Sequence, residues 1–357
     1  MIFDALILGG GPAGCATAIA LARENFRVAL IEKSRYDSPR IGETLAPAAR
    51  DLLMTLGVWE NFLAQKHLSS SGTLAAWGSE ALIENHFITN PYGAGWHLDR
   101  NRFDAMLARA AEQAGACVYA SPARKIFGEW SVIIQAEKEL QGKFLIDASG
   151  RAGIITRQLG AQRYELDQLV GLARFFSAPS GDSNDNRTLV EATENGWWYS
   201  AFLPDARLVV AFMTDADLKP RAELNSFWDK QLADAAHTRA RVTSARNRSE
   251  IGIWSANSYA LDCCAGENWL AVGDAAMAVD PLSARGIYNA LESGLRAAHA
   301  IAKKNRGTDS ALEEYAVWSR ARFEKYRVAR AQYYALETRW RDSTFWKRRQ
   351  IPKGSWE

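Results

Sequence analysis

The sequence is poor in the residues that build metal centres and disulfide frameworks. Its four cysteines, Cys15, Cys117, Cys263 and Cys264, show no CxxC spacing, and its five histidines form no ligand pattern beside them. No resident metal is expected, and the thiols are expected to be reduced and buried, as in a cytoplasmic protein. Charge of one sign is also missing. Forty-three Lys and Arg stand against 41 Asp and Glu, a net +2, so no global field draws the chain to nucleic acid. No apolar run is long and unbroken enough to cross a membrane. Ala5–Ala22 carries no charge, but Gly9, Gly10, Gly11, Pro12 and Gly14 interrupt it, and no basic stretch precedes it as in a signal peptide. Repeats and low-complexity tracts are lacking too. What remains is ordinary for a protein with a large core: 48% hydrophobic and 24% charged residues over 357 positions.

The interruption in Ala5–Ala22 is itself informative. Phe3–Leu8 predicts a strand, Ala13–Glu24 a helix and Arg27–Glu32 a second strand, together a βαβ unit. The turn between strand and helix satisfies GxGxxG through Gly9, Gly11 and Gly14, with Pro12 and Ala13 opening the helix. The three glycines act differently. Gly9 makes the turn, Gly11 lets backbone approach a pyrophosphate, and Gly14 lets helix pack on strand. The helix N-terminus offers its N–H groups to the anion. Glu32, eighteen residues after Gly14 and followed by Lys33, is placed to accept hydrogen bonds from a ribose. Further on, Arg102–Ala114 predicts a helix, Lys143–Ile146 and Trp269–Val272 predict strands, and Gly286–Lys304 predicts a long helix. Thr188–Thr214 holds β-type runs with turns at Asn195–Gly196 and Pro204–Asp205, and Ser177–Arg187 reads as a loop.

A second motif narrows the dinucleotide to FAD. Gly273-Asp274 closes a strand and is followed by Asp280-Pro281-Leu282-Ser283-Ala284-Arg285-Gly286-Ile287. This resembles the second FAD fingerprint of the aromatic hydroxylase superfamily. The resemblance implies that Asp274 holds the ribityl chain, and that Pro281, Gly286 and Ile287 bring backbone to the isoalloxazine. Asp147 in Leu145–Arg151 is similar to that family's central Asp-Gly motif. Asp99–Asp104 is similar to its arginine-bearing helix, with Arg102 either on a phosphate or solvated at a helix start. Arg40-Ile41-Gly42-Glu43-Thr44 resembles the flavin-side loop of tryptophan halogenases and geranylgeranyl reductases. Glu43 reads equally as a flavin-side acid and as a helix-capping acid. His97 is a conceivable acid or base and more simply a structural histidine.

The resemblance implies a Rossmann-type FAD-binding lobe from residues 1–72, 96–165 and 258–307. An antiparallel β-sheet substrate lobe is expected from 73–95 and 166–257, and C-terminal helices from 308–357. FAD is expected to be noncovalent, with O₂ as co-substrate. NAD(P)H or a separate flavin reductase would supply electrons.

Three departures speak against halogenation. Trp77 occupies the position of the halogenase lysine, Ser283 that of its glutamate, and Gly196–Pro204 (GWWYSAFLP) departs from its Trp-x-Trp-x-Ile-Pro motif. That run and the tail Tyr333–Arg349 are instead similar to maturases of the cysteine tryptophylquinone-containing glycine and lysine oxidases. The implied activity is hydroxylation of a tryptophan in a precursor oxidase, which would be the partner protein. Alternatives are a small-molecule aromatic hydroxylase and a geranylgeranyl reductase-like enzyme. Trp77, Trp197 and Trp198 are candidates for an aromatic pocket beside the flavin. In the tail, Tyr326, Ala329, Tyr333, Leu336 and Trp340 fall on one helical face. From Arg320 to Lys353 there are eleven Lys or Arg against three acids, a net +8, either a solvated face or a docking surface around Arg339–Arg349.

Overall fold

The computed structural model describes residues 2–38, 40–127, 130–134, 138–177, 185–243 and 245–350. Most of the Ser177–Arg187 segment and the last seven residues, Lys353 among them, lie outside the described residues.

Two seven-stranded sheets organise the chain. In the first, Ile2–Leu8 lies between Val28–Glu32 and Glu139–Asp147, all parallel, and Cys117–Ala120 and Trp269–Ala271 extend the parallel set. Ser131–Ile133 and Lys125–Phe127 add an antiparallel margin. Ile2–Leu8 and Val28–Glu32 are almost wholly apolar because helices cover both faces of such a sheet. Helix Pro12–Arg23 packs closely on Gly286–Asn305, and Gly294 makes this possible. A Cβ there would lie 2.5 Å from the Ala13 carbonyl oxygen, and the Gly294 carbonyl accepts from Thr17 Oγ1 at 3.3 Å.

The second sheet runs Gly252–Ser255, Leu169–Ser177, Arg207–Asp215, Gly196–Phe202, Thr188–Thr193, Gly72–Ala76, Ile83–His86. All neighbours are antiparallel except Thr188–Thr193 with Gly72–Ala76, which are parallel. Adjacent residues of a strand face opposite sides, and this separates Trp197 from Trp198. Trp197 packs with Trp77, Tyr334 and Trp346, whereas Trp198 packs with Phe212 and Trp228.

The tail forms helices Ala311–Ala335 and Thr344–Gln350. It is stitched into the body by buried polar groups. Arg330 pairs with Asp167 at 2.8 Å and Asp280 at 3.3 Å, the Tyr334 hydroxyl donates to Asp280 at 2.7 Å, and Arg349 pairs with Asp215 at 2.6 Å. The basic run around Arg339–Arg349, which the sequence leaves as either a solvated face or a docking surface, is largely neutralised from within. Arg339 is held by Glu337, and Arg348 by Asp215 and Asp217. The thiols also differ from expectation: all four are free, but Cys117 and Cys263 are exposed, because their neighbours cover only Cys15 and Cys264. Among the described residues no helix is long and apolar enough to cross a membrane.

Candidate FAD site

A cavity of about 590 Å³ opens where the first sheet's strands end and the second sheet begins. The glycine turn forms its floor. Gly9 has φ +113°, and a Cβ there would lie 2.2 Å from the Ala148 carbonyl oxygen; at Gly14 a Cβ would lie 1.9 Å from the Gly9 carbonyl oxygen. These two positions are closed by backbone. At Gly11 a Cβ would meet nothing within 4 Å, and Gly11 lines the cavity. Helix Pro12–Arg23 begins there with no side-chain cap, which leaves its first N–H groups for an anion. Glu32 accepts from the N–H of Gly10 at 2.6 Å and of Ser34 at 2.7 Å, one on each carboxylate oxygen, so each oxygen retains capacity for a ribose hydroxyl.

Among the expected cofactor residues, Gly9, Gly11, Pro12, Ala13, Glu32, Lys33 and Arg40 line the cavity, as do Glu43, Thr44, Asp274, Pro281, Gly286 and Ile287. Four expected residues do not. Gly14 is behind the turn, and Gly273 (φ +58°) faces Ala13, whose Cβ a side chain would meet at 2.9 Å. Asp147 is fully buried and accepts from the N–H groups of Ser149, Ile155 and Thr156, so it fastens the loop after its strand. Arg102 is turned away: Asp99 caps the helix by accepting from the Arg102 N–H and also holds its Nε at 2.9 Å. Arg100, two residues earlier, is the arginine in the cavity wall. It donates to the carbonyls of Ile41 and Gly42 and to Asp104. Burial works against its charge, but Asp104, Glu43 and Asp274 outweigh this and raise its pKa. The i, i+4 spacing of Arg100 and Asp104 was the available signal. Arg151, 3.4 Å from Asp274, is a second basic residue of the wall that sequence reasoning passes over.

The second sheet contributes Tyr199, Val209, Ala211, Met213 and Trp254 to the opposite wall. Glu43 is buried beside them. Its Oε1 has no hydrogen-bond partner among the described residues, and its Oε2 lies 3.5 Å from the Tyr199 hydroxyl, which is 2.9 Å from Thr44 Oγ1. Burial raises the Glu43 pKa, against the backbone N–H groups and Arg100, which lower it. The helix that follows starts only at Ala49, so Glu43 is not a capping acid.

The expected tryptophan pocket is not formed. Trp77, Trp197 and Trp198 are buried and none lines the cavity. The Trp77 Nε1 donates to the Tyr333 carbonyl at 3.0 Å and the Trp197 Nε1 to the Tyr334 hydroxyl at 3.0 Å, so two of the three indoles are tied to the tail. Ser283 lines a different cavity on the far side of the 279–285 segment. His97 is buried against Thr188, 2.9 Å away, and burial lowers its pKa to about 4.

The family pattern of an FAD binding domain matches residues 3–329. The chain belongs to that family. The FAD-dependent oxidoreductase assignment agrees with a relative of nearly equal length, the putative FAD-dependent oxidoreductase LodB of Marinomonas mediterranea. It is 31% identical over 97% of this chain and 96% of its own. Among solved structures, the myxobacterial chondrochloren halogenase CndH shares the fold at a TM-score of 0.90 and 24% identity, over 98% of this chain and 86% of its own. The peptidyl tryptophan dihydroxylase QhpG, essential for tryptophylquinone cofactor biogenesis, superposes at 0.83 with 26% identity, over 98% of this chain and 79% of its own. The glycine turn, open at Gly11 and closed at Gly9 and Gly14, fits an FAD pyrophosphate, and the basic and acidic walls suit the rest of the dinucleotide.

Proposed function

We propose that this FAD enzyme is a cytoplasmic monooxygenase that hydroxylates an aromatic ring, and that the ring is a tryptophan side chain of a precursor oxidase. The observation that carries this reading is the composition of the second-sheet wall. Val209, Ala211, Met213 and Trp254 present an apolar surface next to Glu43 and Tyr199, and no lysine stands among them. An apolar wall excludes water and accepts an aromatic ring by area and edge contacts. Trp77, at the position of the halogenase lysine, is packed under the tail and offers no amine. The likeness to a peptidyl tryptophan dihydroxylase supports the same reading.

Bound FAD, reduced by NAD(P)H or by a separate flavin reductase, would supply the activation of O₂. The chain's own residues bind, orient and hold protons. The Gly9–Gly14 turn and the Pro12–Arg23 helix would take the pyrophosphate, Glu32 the ribose and Asp274 the ribityl chain. Glu43, whose carboxyl pKa burial raises, lies near the Tyr199 hydroxyl. That pair is the acid group available on the ring side of the cavity.

Co-expression with the precursor oxidase, followed by intact-mass measurement of the oxidase, tests this reading. Added oxygen on a tryptophan is expected with the wild-type chain and not with Asp274→Ala. An unchanged precursor mass together with efficient hydroxylation of a free indole or phenol would replace it with a small-molecule hydroxylase. Enzyme-dependent halotryptophan in the presence of chloride or bromide would replace it with a halogenase.

A further inference from the structure

A second cavity of about 350 Å³ lies between helix Ala311–Ala335 and the 279–285 segment. Val279 and Asp280 line both cavities, so this segment is the wall that separates them. Its apolar lining includes Met277, Leu282 and Ala329, with the rings of Tyr326 and Tyr333. Its polar lining is strongly one-sided: Arg285, Arg322, Lys325 and Arg330 against the single carboxylate of Asp280.

That carboxylate is already engaged. Asp280 is buried and accepts from the Leu282 N–H at 2.9 Å and the Tyr334 hydroxyl at 2.7 Å, and it pairs with Arg330 at 3.3 Å. Arg322 is paired with Glu292 at 3.1 Å. Arg285 and Lys325 form no ion pair among the described residues; the Arg285 guanidinium lies 4.9 Å from the centre of the Tyr288 ring, on which Arg322 also converges. Burial and the nearby Arg322 both lower the Arg285 pKa, the signature of cations gathered without enough counter-charge. Ser283, standing where the halogenase pattern has a glutamate, gives its hydroxyl to the Asp280 carbonyl at 2.8 Å and adds no charge. The independent observation is Asn289. It lines this cavity, is 7% exposed, and its Oδ1 has no hydrogen-bond partner among the described residues. A buried amide oxygen without a donor costs stability unless an occupant supplies an N–H or O–H.

We propose, resting on the aromatic-hydroxylase reading above, that this second cavity anchors the substrate by a carboxylate carried on an apolar stem, with Arg285 and Lys325 as charge partners and the Asn289 Oδ1 as acceptor for a backbone N–H of the same substrate. In a protein substrate the carboxylate is an acidic side chain near the target tryptophan. The apolar lining takes its methylenes, and the cations at the mouth replace its water.

The holoenzyme is titrated calorimetrically with N-acetyl-glutamyl-tryptophan amide, its glutaminyl counterpart, indole-3-acetate and inorganic phosphate. The glutamyl peptide is expected to bind about tenfold more tightly than the glutaminyl one. Lys325→Met and Arg285→Gln are each expected to remove about that factor for the glutamyl peptide alone, and Lys325→Arg to restore it. Melting temperature and FAD content, measured alongside, separate loss of the site from loss of the fold. Equal binding of the two peptides, or indifference to both variants, overturns the proposal. So does phosphate that binds as tightly as the peptide, since a bare anion needs no stem. If indole-3-acetate matches the glutamyl peptide and responds to the same variants, the anchoring site stands and the protein-substrate reading falls. If the co-expressed precursor is hydroxylated while the peptides bind equally, the outcome is reversed.

Discussion

The two walls of the FAD cavity are made in different ways. The first-sheet wall is local: six consecutive residues, Gly9–Gly14, contain the turn, the anion-binding helix start and the clearance for a pyrophosphate. The second-sheet wall is assembled at a distance. Tyr199, Ala211 and Met213 meet because strands Gly196–Phe202 and Arg207–Asp215 pair in a register that sets Tyr199 opposite Ala211 and Trp197 opposite Met213. Glu43, facing them, comes from the segment that follows strand Val28–Glu32 of the first sheet. A wall written in one motif fails at single atoms, whereas a wall written in register is sensitive to slippage and tolerant of side-chain exchange.

The largest test of this contrast is a pair of glycine substitutions. Gly14→Val is expected to prevent soluble folding, because its Cβ would overlap the Gly9 carbonyl. Gly11→Leu is expected to fold, with circular dichroism unchanged, and to lose visible flavin absorbance after incubation with excess FAD, because its side chain enters open space. A Gly11→Leu protein that retains FAD would show that the turn does not hold the pyrophosphate.

Next in size is the buried charge that joins tail to body. Arg330→Met leaves Asp167 and Asp280 without their shared partner, and denaturant unfolding is expected to show a loss of about 3–5 kcal/mol. A loss below about 1 kcal/mol would mean that the pair is solvated rather than buried. On the register-built wall, Met213→Leu is expected to cost less than about 1.5 kcal/mol and to leave FAD content unchanged, since the exchange conserves volume.

The smallest effect concerns Glu43. Its folded pKa is raised, so the native state keeps a proton that the unfolded chain releases at ordinary carboxyl pKa. Stability from this group is therefore whole at acid pH and falls as pH rises from the unfolded pKa towards the folded one. Glu43→Gln is expected to melt higher than wild type by on the order of 1–2 °C at neutral pH and to match it in acid. A variant that melts lower at neutral pH would indicate an ionised, well-paired Glu43.

The same contrast explains which parts are legible in the sequence. Strand, glycine turn and helix at the N-terminus are readable because local pattern and packing agree there. The second motif, Asp274 through Gly286, is readable for the same reason. Arg102 stands in for Arg100 in a sequence reading because spacing alone does not tell which arginine a capping aspartate will hold. Strand alternation turns Trp198 away from the cavity face, whereas Trp197, on the same face as Tyr199 and Met213, is taken by the tail through the Tyr334 hydroxyl. Trp77 is expected at the cavity, and the tail that covers it is 256 residues away in sequence at the Tyr333 carbonyl. Contacts of that separation leave no periodic trace.

The polar stitches of the tail also set an order of assembly during synthesis. Asp167, Asp215 and Asp280 are made well before Arg330, Tyr334 and Arg349, their buried partners. Until helix Ala311–Ala335 and the helix after it are complete, the Trp77–Trp197 face of the second sheet remains bare. The nascent chain therefore presents an aromatic surface until helices Ala311–Ala335 and Thr344–Gln350 have been made.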